Sequence, residues 1–249
     1  MSKNLKNCFE IVAIDMQNRL QNYIWLLKDT QNKSLVVIDP TQADIVQEYC
    51  QTHDYRIEQI WITHKHDDHI AGVAELKTFS NATVYAPLAE KDDIQLADIW
   101  LDDGEQFTWH ELKVDCFSTI GHTLGHMCFY LPQLDSLFSG DTLFVMGCGR
   151  VFEGSLQQMY ESLQKIKLLP SQTMIYCTHE YTLSNAEFAT TMYPDNPDIQ
   201  QRYQHIKVQR EHKQPTVPTT LAAELKTNVF LTAKDLAEFS HLRTQKDLF

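Results

Sequence analysis

The sequence predicts a mixed α/β body followed by a short all-helical tail. Two patterns lead there. As far as residue 183, short apolar runs alternate with amphipathic stretches; beyond it only helical periodicity recurs, punctuated by Pro194, Pro197, Pro215 and Pro218. A third observation concerns chemistry: a histidine or aspartate stands just past the end of four of the apolar runs.

In chain order, strands are expected at residues 9–14, 23–27, 34–38, 57–63, 82–86, 106–109, 112–117, 128–131, 136–139 and 174–177. Helices are expected between them at 43–53, 68–79 and 156–168. In the last of these, Leu156, Met159, Tyr160, Leu163 and Ile166 recur at helical spacing, and Ser155 with Gln158 has the form of a capping box. The tail carries expected helices at 184–192, 198–212, 221–226 and 234–246. The domain division is therefore placed between 1–183 and 184–249.

The 249 residues have a net charge of −12, from 21 basic and 33 acidic side chains. That balance disfavours a general nucleic-acid or anionic-membrane surface, though not a local basic pocket for a small anion. No stretch reaches the length of a membrane span, and the N-terminal apolar runs are broken by Glu10 and Asp15, so no targeting signal is read. Six cysteines are scattered without a Cys-x-x-Cys pair and read as reduced core thiols of a cytoplasmic protein.

The segment Thr63-His64-Lys65-His66-Asp67-Asp68-His69 concentrates four ligand types, His64, His66, Asp68 and His69, directly after a strand. A strand pins its last residues, so the following loop can aim several side chains at one point. Imidazole and carboxylate suit zinc and other first-row divalent metals. His122, Asp141 and His179 end three later runs. Five histidines and two aspartates exceed the four ligands of one tetrahedral zinc. They suit two metals sharing a carboxylate, and Asp141 is the natural bridge because both its oxygens can be used.

These stretches, with Gly121-His122-Thr123-x-Gly125-His126, Ser139-Gly140-Asp141-Thr142 and Thr178-His179-Glu180-Tyr181, resemble in order and spacing the motifs of the metallo-β-lactamase superfamily. Gly147-Cys148-Gly149-Arg150, Glu153-Gly154, the Pro215–Thr220 segment and the terminal Arg243-x-x-Lys246-Asp247 resemble the glyoxalase II (hydroxyacylglutathione hydrolase) family within it, and the likeness runs along essentially the whole chain.

The resemblance implies a four-layer αββα sandwich with a small C-terminal helical domain that binds the glutathione part of the substrate. It implies two divalent metals, zinc foremost with iron or manganese as alternatives. His64, His66 and His122 would hold the first, and Asp68, His69 and His179 the second, with Asp141 and a hydroxide between them and Asp68, His69 and Asp141 at the catalytic centre. It implies hydrolysis of S-(2-hydroxyacyl)glutathione, such as S-D-lactoylglutathione, the second step of methylglyoxal detoxification. The expected partner is this small thioester alone, and the expected state a monomer. Arg150, Tyr181, Arg243 and Lys246 would contact the glutathione moiety. Arg150 replaces a lysine of some members, and Phe152 replaces a tyrosine, which removes one polar contact. Lys65, Asp67 and His126 are read as non-ligands. A related family, the mononuclear-iron persulfide dioxygenases, is the alternative; the long tail argues against it.

Overall fold

The computed structural model describes residues 5–249, so part of the N-terminal stretch read for a targeting signal lies outside the described residues. The chain divides into two compact units. One runs to Ser118 and takes in Gly125–Leu134; the other comprises Thr119–Leu124 and Asp135–Phe249.

The first unit is built on a six-stranded sheet: β1 (Phe9–Asp15), β2 (Tyr23–Asp29), β3 (Ser34–Ile38), β4 (Arg56–Trp61), β5 (Thr83–Pro87) and β6 (Ile99–Leu101), in that order. The β1–β2–β3 pairs are antiparallel and the rest parallel. Parallel neighbours need a crossover. Helix α1 (Asp44–His53) supplies one between β3 and β4, and α2 (Asp67–Ile70) with α3 (Val73–Ser80) the next. Strands β2 and β3 are buried along their whole length, hence their near-continuous apolar reading. Ile24, Leu26, Leu35, Val37, Ile60, Ile62, Leu76 and Val84 form the core, each side chain contributing about 1.5–3 kcal/mol on burial. Strands β7 (Gln106–Trp109), β8 (Leu112–Ser118) and β9 (Met127–Leu131) complete the unit as an antiparallel ladder.

Two expectations change here. The helix expected over 68–79 is two helices, because the chain passes close to a neighbouring loop at Gly72. A Cβ there would meet the backbone of Gln42 at 2.8 Å, and Gly72 N donates to Pro40 O at 2.8 Å. Strand β4 stops at Trp61 rather than residue 63, since Thr63 N donates to the side chain of Asp39 at 2.8 Å.

The second unit contains β10 (Ser136–Gly140), β11 (Leu143–Phe144), β12 (Gly147–Cys148), α4 (Leu156–Lys167), β13 (Met174–Cys177), α5 (Thr182–Met192), α6 (Pro197–Glu211), β14 (Thr219–Thr220), α7 (Leu221–Thr227) and α8 (Leu236–Leu248). β10 and β13 are parallel, with α4 as the crossover. The capping box forms: Gln158 N donates to Ser155 Oγ and Ser155 N to Gln158 Oε1. Tyr160 of α4 meets Phe239 of α8 with ring centroids 5.7 Å apart. The tail is not purely helical, because β14 pairs antiparallel with β13. Two residues are too short a strand to leave a periodic signal. The same holds for the β11–β12 hairpin.

Candidate metal centre

In the first unit, Asp39 directly follows β3 and Thr63 lies two residues beyond β4. Asp39 is 1% exposed and has φ 51°. Its Oδ1 accepts from Thr63 N, and its Oδ2 from Thr63 Oγ1 at 2.7 Å and His69 Nδ1 at 3.0 Å. With its hydrogen given to Asp39, the Thr63 hydroxyl accepts from His64 Nδ1 at 3.0 Å. Both rings are thereby fixed as the tautomer with a lone pair on Nε2. His64 Nε2 lies 3.0 Å from His66 Nδ1, and His69 Nε2 lies 3.5 Å from Asp68 Oδ2. Buried Asn22 donates to Asp68 Oδ2 at 2.9 Å, and Thr41 Oγ1 to Asp68 O at 2.8 Å.

In the second unit, His122 and His179 each point Nε2 at Asp141 Oδ2, at 3.3 Å. His122 Nδ1 donates to Arg150 O at 2.8 Å, and Thr178 Oγ1 donates to Asp141 Oδ1 at 3.1 Å. Gly149 admits no side chain here, because a Cβ would lie 1.9 Å from Asp141 O.

Separations of 3.0–3.5 Å between donor atoms fit a bound cation. Two ligands about 2.1 Å from one tetrahedral ion are roughly 3.4 Å apart. Imidazoles and carboxylates with oriented lone pairs are the donor set of a first-row divalent metal. Lys65 instead pairs with Asp93 at 2.9 Å, Asp67 is exposed, and buried His126 stacks on His64 with centroids 4.9 Å apart. His53, His110, His205, His212 and His241 are exposed.

The second unit also holds a cavity of about 200 Å³ lined by Phe144, Arg150, Tyr181, Ser184, Arg243 and Lys246, among others. Tyr181 stacks on His179, centroids 4.7 Å apart and planes 3° from parallel. The arginines differ. Arg243 is buried: Nη1 donates to Cys148 O at 2.9 Å, Nη2 to Asp247 at 3.0 Å, and the guanidinium lies over Phe230. Arg150 is exposed, 3.6 Å from Asp247 and over the ring of Phe152. Lys246 Nζ donates to Ser184 O and Oγ at 2.9 and 2.7 Å. Burial, and then the nearby Arg243 charge, bring its pKa down to about 8. Phe152, 58% exposed, has its ring 5.2 Å from that of His122.

In the sequence, Thr63, Thr178 and Asp247 stood as motif members without a role, and neither Asp39 nor Asn22 was singled out. Asp39 went unread although it too follows directly on an apolar run. Asn22 carried no signal, because its partner Asp68 is 46 residues away.

Fold and donor chemistry together define a metallo-β-lactamase superfamily member: the model of that superfamily matches residues 18–179, and the chain binds divalent metal. A second model, the hydroxyacylglutathione hydrolase C-terminus, matches residues 180–249. A hydroxyacylglutathione hydrolase of Pseudomonas aeruginosa (strain LESB58) is 44% identical over 212 residues, 84% of this chain and 81% of that protein. One from Pelagibacter ubique (strain HTCC1062) is 42% identical over 230 residues, 92% of this chain and 95% of that protein. The chain belongs to the hydroxyacylglutathione hydrolase family. Among solved structures, ETHE1 from Myxococcus xanthus aligns with a TM-score of 0.71 at 24% identity, covering 95% of this chain and 89% of that one; this likeness speaks to the fold alone.

Proposed function

We infer that this chain hydrolyses S-(2-hydroxyacyl)glutathione, for example S-D-lactoylglutathione, to the 2-hydroxy acid and glutathione. The observation that carries this is relatedness above 40% identity, over most of both chains, to proteins named for that activity. The cation-lined cavity supports it, since glutathione is an anion whose carboxylates need such partners.

In this reading His64, His66 and His122 would hold one divalent ion and Asp68, His69 and His179 a second, zinc foremost, with Asp141 available to both. Bound divalent metal lowers the pKa of water to about 7 and polarises a carbonyl. Water adds to the thioester carbonyl, the C–S bond breaks, and the thiol sulfur departs as a thiolate. A thiol pKa near 8.5 means that departure needs no strong general acid. The protein's own part is orientation. Asp39 and Thr63 fix His64 and His69, Asn22 holds Asp68, Thr178 holds Asp141, and Arg150 O fixes His122. Residues 184–249 act as the substrate domain, where Arg243 and Lys246 join Arg150 and Tyr181 around the glutathione moiety; 1–183 is the catalytic domain. No helix among the described residues is long and apolar enough to cross a membrane, and a cytoplasmic monomer is part of the proposal.

The test is turnover of S-D-lactoylglutathione by purified protein, alongside elemental analysis. Activity that a chelator abolishes and zinc restores, at two metals per chain, is expected. Metal-loaded protein without thioesterase activity would sink the substrate assignment. Full activity at one metal per chain would sink the dinuclear one.

A further inference from the structure

Helix α7 contains a carboxylate that the chemistry above does not use. Glu224 is fully buried. Its Oε1 accepts from Thr219 Oγ1 at 2.9 Å and from Arg202 Nη2. Its Oε2 accepts from Met146 N at 2.7 Å and Asn228 Nδ2 at 3.0 Å. Met146 sits at the tip of the β11–β12 hairpin with φ 55°. Asn228 Nδ2 also donates to Phe144 O and Gly147 O, at 3.1 and 2.9 Å, and Asn185 Nδ2 to Val145 O at 3.1 Å. The tip is thus held by side chains of the helical tail rather than by its own short ladder.

The hairpin touches one ligand-type residue of its unit, His179, and is joined through the chain on either side of it to the other two. Asp141 lies two residues before it. Arg150, two residues after it, accepts the Nδ1 bond of His122. The Phe144 ring packs edge-on against His179 and Tyr181, at 5.9 and 5.5 Å. A tip free to tilt would swing these contacts together.

We propose that Glu224 is a positioning residue: by clamping the Leu143–Cys148 hairpin from α7, it sets the orientation of His122, Asp141 and His179 for metal and of Arg150 for substrate. This rests on the ligand assignment above. Residues that orient metal ligands typically contribute 10–100-fold in metal affinity.

The experiment compares Glu224→Gln with Thr219→Val, which removes a donor to Oε1 and leaves the hairpin bonds intact. Zinc dissociation constants come from competition with a chromophoric chelator, thermal midpoints from calorimetry, and KM from thioester assays. Glu224→Gln is expected to weaken zinc binding at least tenfold and raise KM, with Thr219→Val close to wild type in both. A lowered midpoint in Glu224→Gln with wild-type zinc affinity and KM would make Glu224 structural only and overturn the proposal. If Glu224→Gln does not fold, Asn228→Ser, which removes the donors to Phe144 O and Gly147 O, decides by the same criteria. Wild-type protein that binds no zinc would overturn the ligand assignment and this inference with it. Wild-type protein that binds zinc but lacks thioesterase activity leaves the zinc arm as a complete test.

Discussion

His69 Nδ1 donates to Asp39 Oδ2 at 3.0 Å, with both side chains buried. The carboxylate fixes which imidazole nitrogen carries the proton, and Thr63 fixes the carboxylate through two further bonds. Asp39→Asn keeps the volume but replaces one acceptor oxygen by a donor, so the amide cannot accept from Thr63 N, Thr63 Oγ1 and His69 Nδ1 together. Zinc affinity is expected to fall 10–100-fold, read by chelator competition. Unchanged affinity would mean that His69 is oriented without Asp39.

Lys246 should make substrate binding pH-dependent. Its pKa of about 8 lies below the ordinary lysine value of 10.5 because burial and Arg243 disfavour the charge, while Glu187 acts the other way. If Lys246 binds substrate as proposed, its ammonium would attract a substrate carboxylate below about pH 8, and the attraction would fade above it. KM is expected to be flat to pH 7 and to rise through pH 8–9, and Lys246→Met should remove that rise. A depressed lysine disfavours the folded state at neutral pH, and the penalty fades as pH rises from about 8 towards 10.5. Lys246→Met should therefore hold or raise the melting temperature at pH 7.

Arg243→Ala should behave differently. It removes a charge-assisted bond to Cys148 O, the Asp247 pair and the contact with Phe230. At about 1.5–3 kcal/mol per charged hydrogen bond, a loss of about 3 kcal/mol or more is expected. That is a fall in Tm of roughly 6–12 °C for a chain of this size. A raised KM with an unshifted Tm would show that Arg243 serves substrate alone.

Phe152→Tyr restores a hydroxyl at an exposed ring beside His122 and Arg150. One neutral hydrogen bond contributes about 0.5–1.5 kcal/mol, so KM for the glutathione thioester should fall roughly 2- to 12-fold, with Tm unchanged. An unaltered KM would place this ring outside the substrate contact.

The mixed α/β character and most strand positions were legible because apolar runs bounded by polar residues report burial directly. Strands β3, β7 and β13 match their expected bounds, and α4 was marked at its start by Ser155 and Gln158. The ligand-type residues were legible because they cluster at run ends. What holds them in place was not. Asn22 and Asp68, or Glu224 and Met146, are hydrogen-bonded across 46 and 78 residues, and no local pattern encodes such a pairing. Nor did spacing separate buried Arg243 from a solvated helix face, since burial there is decided by Phe230 and Cys148 from other segments.

All six cysteines are buried. Burial lifts Cys50 and Cys116 to about 11 and about 12, and Cys148 and Cys177 upward as well. With all six sulfurs buried, an enzyme that liberates glutathione offers that product, once oxidised, no exposed thiol with which to exchange. The same shielding makes the chain a blank background for maleimide chemistry. A cysteine placed at Leu168, which is 86% exposed, would be the fast-reacting thiol, and a fluorophore could be attached there without first stripping out the native sulfurs.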